Sequence, residues 1–212
     1  AYAVILATYL MAFFWTFRIS ALARKPTLPK ESVWRNLVLA ARFIRSQESV
    51  LALMLMALLV NLTALTLNNG LMPVFARDVL AAGPAGLAIL LGASAVGASV
   101  GSIVIASLKH IQRPGKFLLL ASLGWHGALL LFSHSIWFGP SLAILLAVGA
   151  AQAFTLVSIA MLLLRLTTSG MRGRIMGVRS MVVYALPIGL LVSGALADKF
   201  GAPMALAASG FL

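Results

Sequence analysis

The chain has 212 residues, 62% of them hydrophobic and only 9% charged, with a mean hydropathy of +1.06; a water-soluble domain of this size could not hide so much apolar surface, so lipid is the solvent for most of it. Net charge is +12, from 16 Lys and Arg against 4 Asp and Glu, but the basic residues fall in short loops between apolar runs, which assigns them to a membrane surface and argues against nucleic acid as a partner. The absence of cysteine excludes disulfides, thiolate metal sites and cysteine nucleophiles.

In chain order, apolar runs of membrane-crossing length occupy residues 1–17, 50–75, 86–108, 117–133, 140–164 and 175–197, with a further run from 202. The pattern predicts an all-α polytopic membrane protein of six spans and a truncated seventh. The first run has no charged segment before it and no cleavage site after it, so it is not a signal peptide. Both ends of the chain lie inside apolar runs, which predicts a piece cut within spans. Residues 18–48 form the longest polar interruption. Within them, Ser32 is placed to cap a short basic amphipathic helix, with Arg35, Arg42 and Arg45 on one side and Val33, Leu37, Ala41 and Ile44 on the other. That helix is expected to lie along the membrane surface with Trp34 at headgroup level.

Loop charge sets the orientation. Fourteen of the sixteen Lys and Arg fall in the loops 18–45, 109–116 and 165–179, and only Arg77 and Lys199 lie in the loops between them. The positive-inside rule makes the first three cytoplasmic.

Polar side chains in the hydrocarbon layer face a cavity or a partner helix. Asn61 and Asn68, seven residues apart, share a helical face with Met54, Leu65 and Met72, and could either line a cavity or tie helices together. Asn68-Asn69-Gly70 followed by Pro73 weakens that helix, since proline cannot donate to the turn before it, and Asn69 is a cavity candidate beside Asn61 and Asn68. Gln152 with Thr155, and Ser180 with Tyr184 ahead of a second kink at Pro187, are further cavity candidates. His126, beside Trp125, is expected to be a neutral, hydrogen-bonded histidine. In the third run Gly92, Gly97 and Gly101 predict close helix packing inside the bundle, rather than a dimerisation face.

Several motifs are excluded by context. Gly97-Ala-Ser99-Val-Gly101 matches a serine-hydrolase elbow but sits mid-helix without an acid in any span. Asn61-Leu-Thr63 fits a glycosylation acceptor but lies in the hydrocarbon, and the Gly170–Gly177 stretch lacks the strand a phosphate cradle requires. Glu31, Glu48, Asp78 and Asp198 fall at or beyond span ends, so no catalytic residue, metal site or cofactor is predicted.

The residues Asn61, Leu71-Met-Pro73-Val-Phe75-Ala-Arg77-Asp78-Val-Leu80, Gly97 and Gly101, Arg172-Gly-Arg174-Ile-Met-Gly177, Pro187-Ile-Gly189 and Gly194-Ala-Leu-Ala-Asp198 resemble the major facilitator superfamily. Within it they resemble the bacterial branch of enterobactin-exporter-like and transmembrane secretion effector permeases. The resemblance implies the C-terminal half of the fold: residues 1–17 as the last span of the first half, 18–48 as the central loop, and 49–212 as a second bundle of two inverted three-helix repeats. It also implies cavity-lining second and fifth spans, and switch loops carrying Lys109, Arg113, Arg172 and Arg174. Two departures stand out: the 109–116 loop lacks the family's acid, and Thr167-Thr168-Ser169-Gly170 replaces a proline and an acid, so that Ser169 is placed to cap the next helix.

The expected function is an efflux permease of the bacterial inner membrane; proton coupling is what the resemblance implies, with any coupling carboxylate expected in the missing half. It would export a small amphipathic molecule, such as a drug-like compound or siderophore, by alternating access. Its expected partners are that substrate, the bilayer and the missing first half, in a monomer. The alternatives are a polytopic enzyme acting on lipid, against which His110 and His134 sit at opposite ends of the fourth span, and a non-transporting sensor or scaffold.

Overall fold

Apolar segments in lipid must satisfy their backbone polar groups internally, and helices do so along their own length. The computed structural model describes residues 2–18, 32–108 and 111–211, and every regular element in them is helical. In order these are α1 (Tyr2–Arg18), α2 (Val33–Ser46), α3 (Glu48–Leu62), a wide π-type turn (Leu67–Leu71), α4 (Met72–Asp78), α5 (Pro84–Ser107), α6 (Pro114–Ser133), α7 (Phe138–Leu166), α8 (Ser169–Val182), a tight 3-10 turn (Val183–Ala185), α9 (Leu186–Phe200) and α10 (Ala202–Phe211). Five stretches are long and apolar enough to cross a membrane: Glu48–Asp78, Pro84–Ser107, Pro114–Ser133, Phe138–Leu166 and Ser169–Phe200. With the shorter apolar helices α1 and α10 they stand against the expected six spans and partial seventh.

The chain forms two compact units, Ala1–Asn36 and Leu37–Leu212. The first contains α1. The second contains the five long spans and two apolar cores. One core gathers Leu67, Met72 and Phe75 with Leu90, Trp125, Phe132, Leu145 and Leu206; Phe75 and Phe132 meet with ring centroids 4.6 Å apart. The other gathers Ala40, Ile44, Val50, Leu53, Leu118, Ile159, Leu163 and Ile175 near the opposite end.

Ala40 and Ile44 of the basic helix are buried in that second core, while Val33, Trp34 and Ala41 are exposed. The helix is amphipathic as expected, and part of its apolar face packs on protein.

The most extensive pairing is between α5 and α7, and glycine makes it possible. A Cβ on Gly97 would overlap the Leu146 carbonyl, and one on Gly101 would lie 2.8 Å from the Ala150 carbonyl oxygen. From the other side, a Cβ on Gly149 would overlap the Ser94 carbonyl. Gly92 does not belong with them: it is exposed and an added Cβ meets nothing. Five residues before Gly97, it falls on a different face of α5.

Candidate substrate cavity

The span Glu48–Asp78 is bent where its sequence predicts weakness, and the irregularity begins earlier than Asn68. At the end of α3 the Leu65 N–H reaches back five residues to the Val60 carbonyl (3.1 Å). Across Leu67–Leu71 the pattern repeats, the Met72 N–H donating to the Leu67 carbonyl. Pro73 cannot donate, so the turn ahead of it loses a bond and widens.

This widening decides which amides share a face. In a regular helix Asn61 and Asn68 would align; with more residues per turn, positions four apart align instead. Ala57, Asn61, Leu65 and Asn69 accordingly line one cavity of about 370 Å³, closed by Leu156 and Ile159 of α7 and by Arg179, Ser180, Val183 and Leu186. Asn68 is turned to the neighbouring helices, where its Nδ2 donates to Ser94 Oγ (3.1 Å) and Gln152 Oε1 (3.2 Å). Of the two alternatives for the polar stripe, Asn61 is on the cavity and Asn68 ties helices.

The second interrupted span lies against the first. Before α9 the Leu186 N–H closes a tight turn on the Val183 carbonyl, with Pro187 in the first turn of α9. A Cβ on Gly189 would overlap the Leu62 carbonyl, and one on Gly70 would sit 2.6 Å from Leu190 Cδ2. The two bends therefore touch at backbone distance. Beyond them a larger cleft of about 640 Å³ is lined by Asn69, Gly70, Leu190, Ser193 and Asp198, together with Arg77 and Asp78. The last two form an exposed ion pair at 2.6 Å. Asn69 borders both spaces.

Other expected site residues distribute as follows. Ser180 lines the cavity, its hydroxyl donating to the Met176 carbonyl (3.0 Å). Tyr184 is exposed on the tight turn, and Thr155 is fully buried with its hydroxyl on the Ala151 carbonyl (2.8 Å), so neither borders the cavity. Gln152 belongs to the Asn68 network. Of the loop residues, Lys109 lies outside the described residues, Arg113 is exposed just before α6, Arg172 Nε donates to the Thr167 carbonyl (3.3 Å), and Arg174 Nη1 lies 3.4 Å from Met171 Sδ. Thr168, not Ser169, precedes α8 in extended conformation and its carbonyl receives the first backbone bonds.

His126 is buried and hydrogen-bonded, as expected. Nδ1 lies 2.9 Å from the Ser122 carbonyl and Nε2 lies 3.2 Å from Thr63 Oγ1. Nδ1 of a neutral ring donates to the Ser122 carbonyl, and the single Thr63 hydroxyl proton is shared between the Leu59 carbonyl (2.8 Å) and Nε2, joining α6 to the start of the bend. Thr63→Val leaves Nε2 with an apolar neighbour, and Asn68→Leu strips a donor from buried Ser94 and from Gln152. Each is expected to cost about 1–3 kcal/mol, read as a melting-temperature drop of several degrees in a detergent thermal-shift assay. Wild-type melting in both would refute the tie-bar roles.

A family model described as transmembrane secretion effector matches residues 1–212. The chain belongs to that family, within the major facilitator superfamily. No curated protein matches it, and no solved structure does. Membership makes this chain a multi-pass membrane protein of a transporter superfamily.

Sequence reasoning missed two participants. Gly149 has no second glycine at helical spacing to announce it. Arg179 was counted with the basic loop, yet it lies ten residues into the continuous span Ser169–Phe200 and lines the cavity beside Asn61. An arginine ten residues past the helix start, five beyond Arg174, was the available signal.

Proposed function

We propose that the chain is the second half of an efflux permease that exports a small amphipathic molecule, and that the space at the two bends is part of its substrate path. The observation that carries this reading is the cavity of about 370 Å³ shared by the two interrupted spans, of a size suited to small ligands and mixed in lining as such sites are. Asn69 borders both this cavity and the cleft beyond the bends, so a shift of one bend against the other would connect them. Alternating access then consists of this bundle rocking against the first half that the family resemblance implies.

The excess of Lys and Arg on one set of loops supports a bacterial inner-membrane orientation with Arg113 and Arg172 on the cytoplasmic side. Proton coupling follows the family. Among the described residues the carboxylates Glu48, Asp78 and Asp198 sit at or near helix ends, so a coupling acid would belong to the first half.

The test is transport by the full-length protein. Asn61→Leu with Asn69→Leu fills the cavity and the passage beside it, and should cut efflux of dye-like amphiphiles by tenfold or more at unchanged membrane levels. A protonophore should stop wild-type export. Unchanged efflux in the double variant would sink the path, and export that persists without a proton gradient but fails on ATP depletion would sink the coupling.

A further inference from the structure

We propose that the cavity at the bends recognises a small amphipathic anion, an organic acid carrying N–H or O–H groups, with Arg179 as its charge partner. This rests on reading the cavity as the substrate site.

Arg179 is partly buried and lies ~15 Å along the span from Ser169, at the rise of a regular helix. No described group pairs with its guanidinium. The described ion pair is Arg77 with Asp78, while Glu48 begins α3 and Asp198 lies near the end of α9. An unpaired cation within a membrane span is costly unless a cavity or a ligand receives it.

The remaining polar lining narrows the ligand further. Asn61 is 6% exposed; its Nδ2 donates to the Ala57 carbonyl (2.8 Å), and its Oδ1 has no partner. Asn69 commits its Nδ2 to the Leu65 carbonyl (2.7 Å), and Ser180 commits its hydroxyl proton to the Met176 carbonyl. The Ser180 hydroxyl has spent its one proton and each asparagine has spent one of its two N–H donors, so the acceptor left wholly unmet is Asn61 Oδ1. A buried acceptor left unmet is itself destabilising, and a ligand donor would satisfy it. The cavity thus presents one cation and an unmet acceptor, walled by Leu65, Leu156, Ile159, Val183 and Leu186. A molecule that satisfies all of these has an apolar body, an anionic group and at least one donor. A neutral or cationic amphiphile leaves Arg179 unmet.

The probe pair is dansylglycine, which carries a carboxylate and a sulfonamide N–H, and its uncharged amide. Binding to purified full-length protein is read by energy transfer from tryptophan in an uncharged detergent. Wild type should prefer the acid by about tenfold, the worth of one charge-assisted hydrogen bond. Arg179→Gln should erase that preference while holding the amide within about twofold. Arg179→Lys, which keeps the charge but loses the planar fork, should retain part of it. No preference in wild type, or a preference that survives Arg179→Gln, overturns the inference. If Arg179→Gln does not fold, the Lys variant decides: loss of all charge selectivity with amide binding intact overturns it. Displacement by phosphatidylglycerol without selectivity for the acid would assign the guanidinium to a lipid headgroup, and also overturns it. Transport is scored separately in proteoliposomes. Charge-selective binding without movement would refute the permease and leave the anion site standing; movement without selectivity would do the reverse.

Discussion

Gly149→Leu is expected to abolish the folded bundle. At this position α7 rests on α5 with no side chain between them, and even a single methyl would overlap the Ser94 carbonyl and approach the Ala98 nitrogen to 2.7 Å. Both obstacles are backbone, so no rotamer change relieves them. The helices must separate instead, opening the contacts of Gly97 with Leu146 and of Gly101 with Ala150. In lipid, helix association depends on close packing because the surrounding chains are as apolar as the side chains, and overpacking costs typically 1–3 kcal/mol even where side chains can adjust. Here the loss should exceed that range. Ser94 is also the hydroxyl that receives Asn68, so displacing it breaks the tie to the bent span. Size-exclusion of the detergent-extracted full-length variant should show no monodisperse peak. Gly92→Ala serves as the control: its added methyl meets nothing, and replacing a helix-interior glycine should leave stability unchanged or raise it by ~0.5–1 kcal/mol. A Gly149→Leu protein that melts like wild type would refute the packing scheme.

Gly189→Val should instead leave a folded protein that transports at least tenfold more slowly. The added carbons would overlap the Leu62 carbonyl, where the two bends touch. Unlike α7, α9 has room to retreat, since Ile188, Leu191 and Val192 on its other faces are exposed. A shift of about an ångström would relieve the clash at a cost within the usual overpacking range. That same shift carries Leu186 away from Asn61 and Leu190 away from Gly70, altering the cavity and the constriction beyond it. Efflux in proteoliposomes, normalised to monodisperse protein, separates the two effects. Wild-type efflux would show that contact between the bends does not govern the path.

Much of the architecture was legible before any coordinates. Hydropathy located the five long spans, because a lipid-facing helix must be apolar over its whole length regardless of its neighbours. Asn68-Asn69-Gly70-Leu-Met-Pro73 located one bend and Pro187 the other, because missing donors and weak helix formers act locally. Buried, hydrogen-bonded His126 was also readable, from its place mid-run beside Trp125. The direction in which Asn68 faces was not. Its seven-residue spacing from Asn61 has meaning only if the helix between them is regular, and two i to i+5 bonds make it irregular. Likewise Gly92 and Gly149 cannot be ranked from spacing, since the neighbour that a Cβ would strike belongs to another helix.

By itself the sequence determined that this chain is a helical, multi-pass membrane protein, where it bends, and on which loops its positive charge lies. Those follow from local chemistry: transfer of side chains to lipid, the missing N–H of proline, and the sign of loop charge. Only the tertiary structure decided that Ala40 and Ile44 of the basic helix join a protein core, that of the three candidate asparagines Asn68 turns away to tie helices, and that Arg179 joins Asn61 and Asn69. Each of those depends on the phase of one helix relative to another, which a local widening of a few residues can reset.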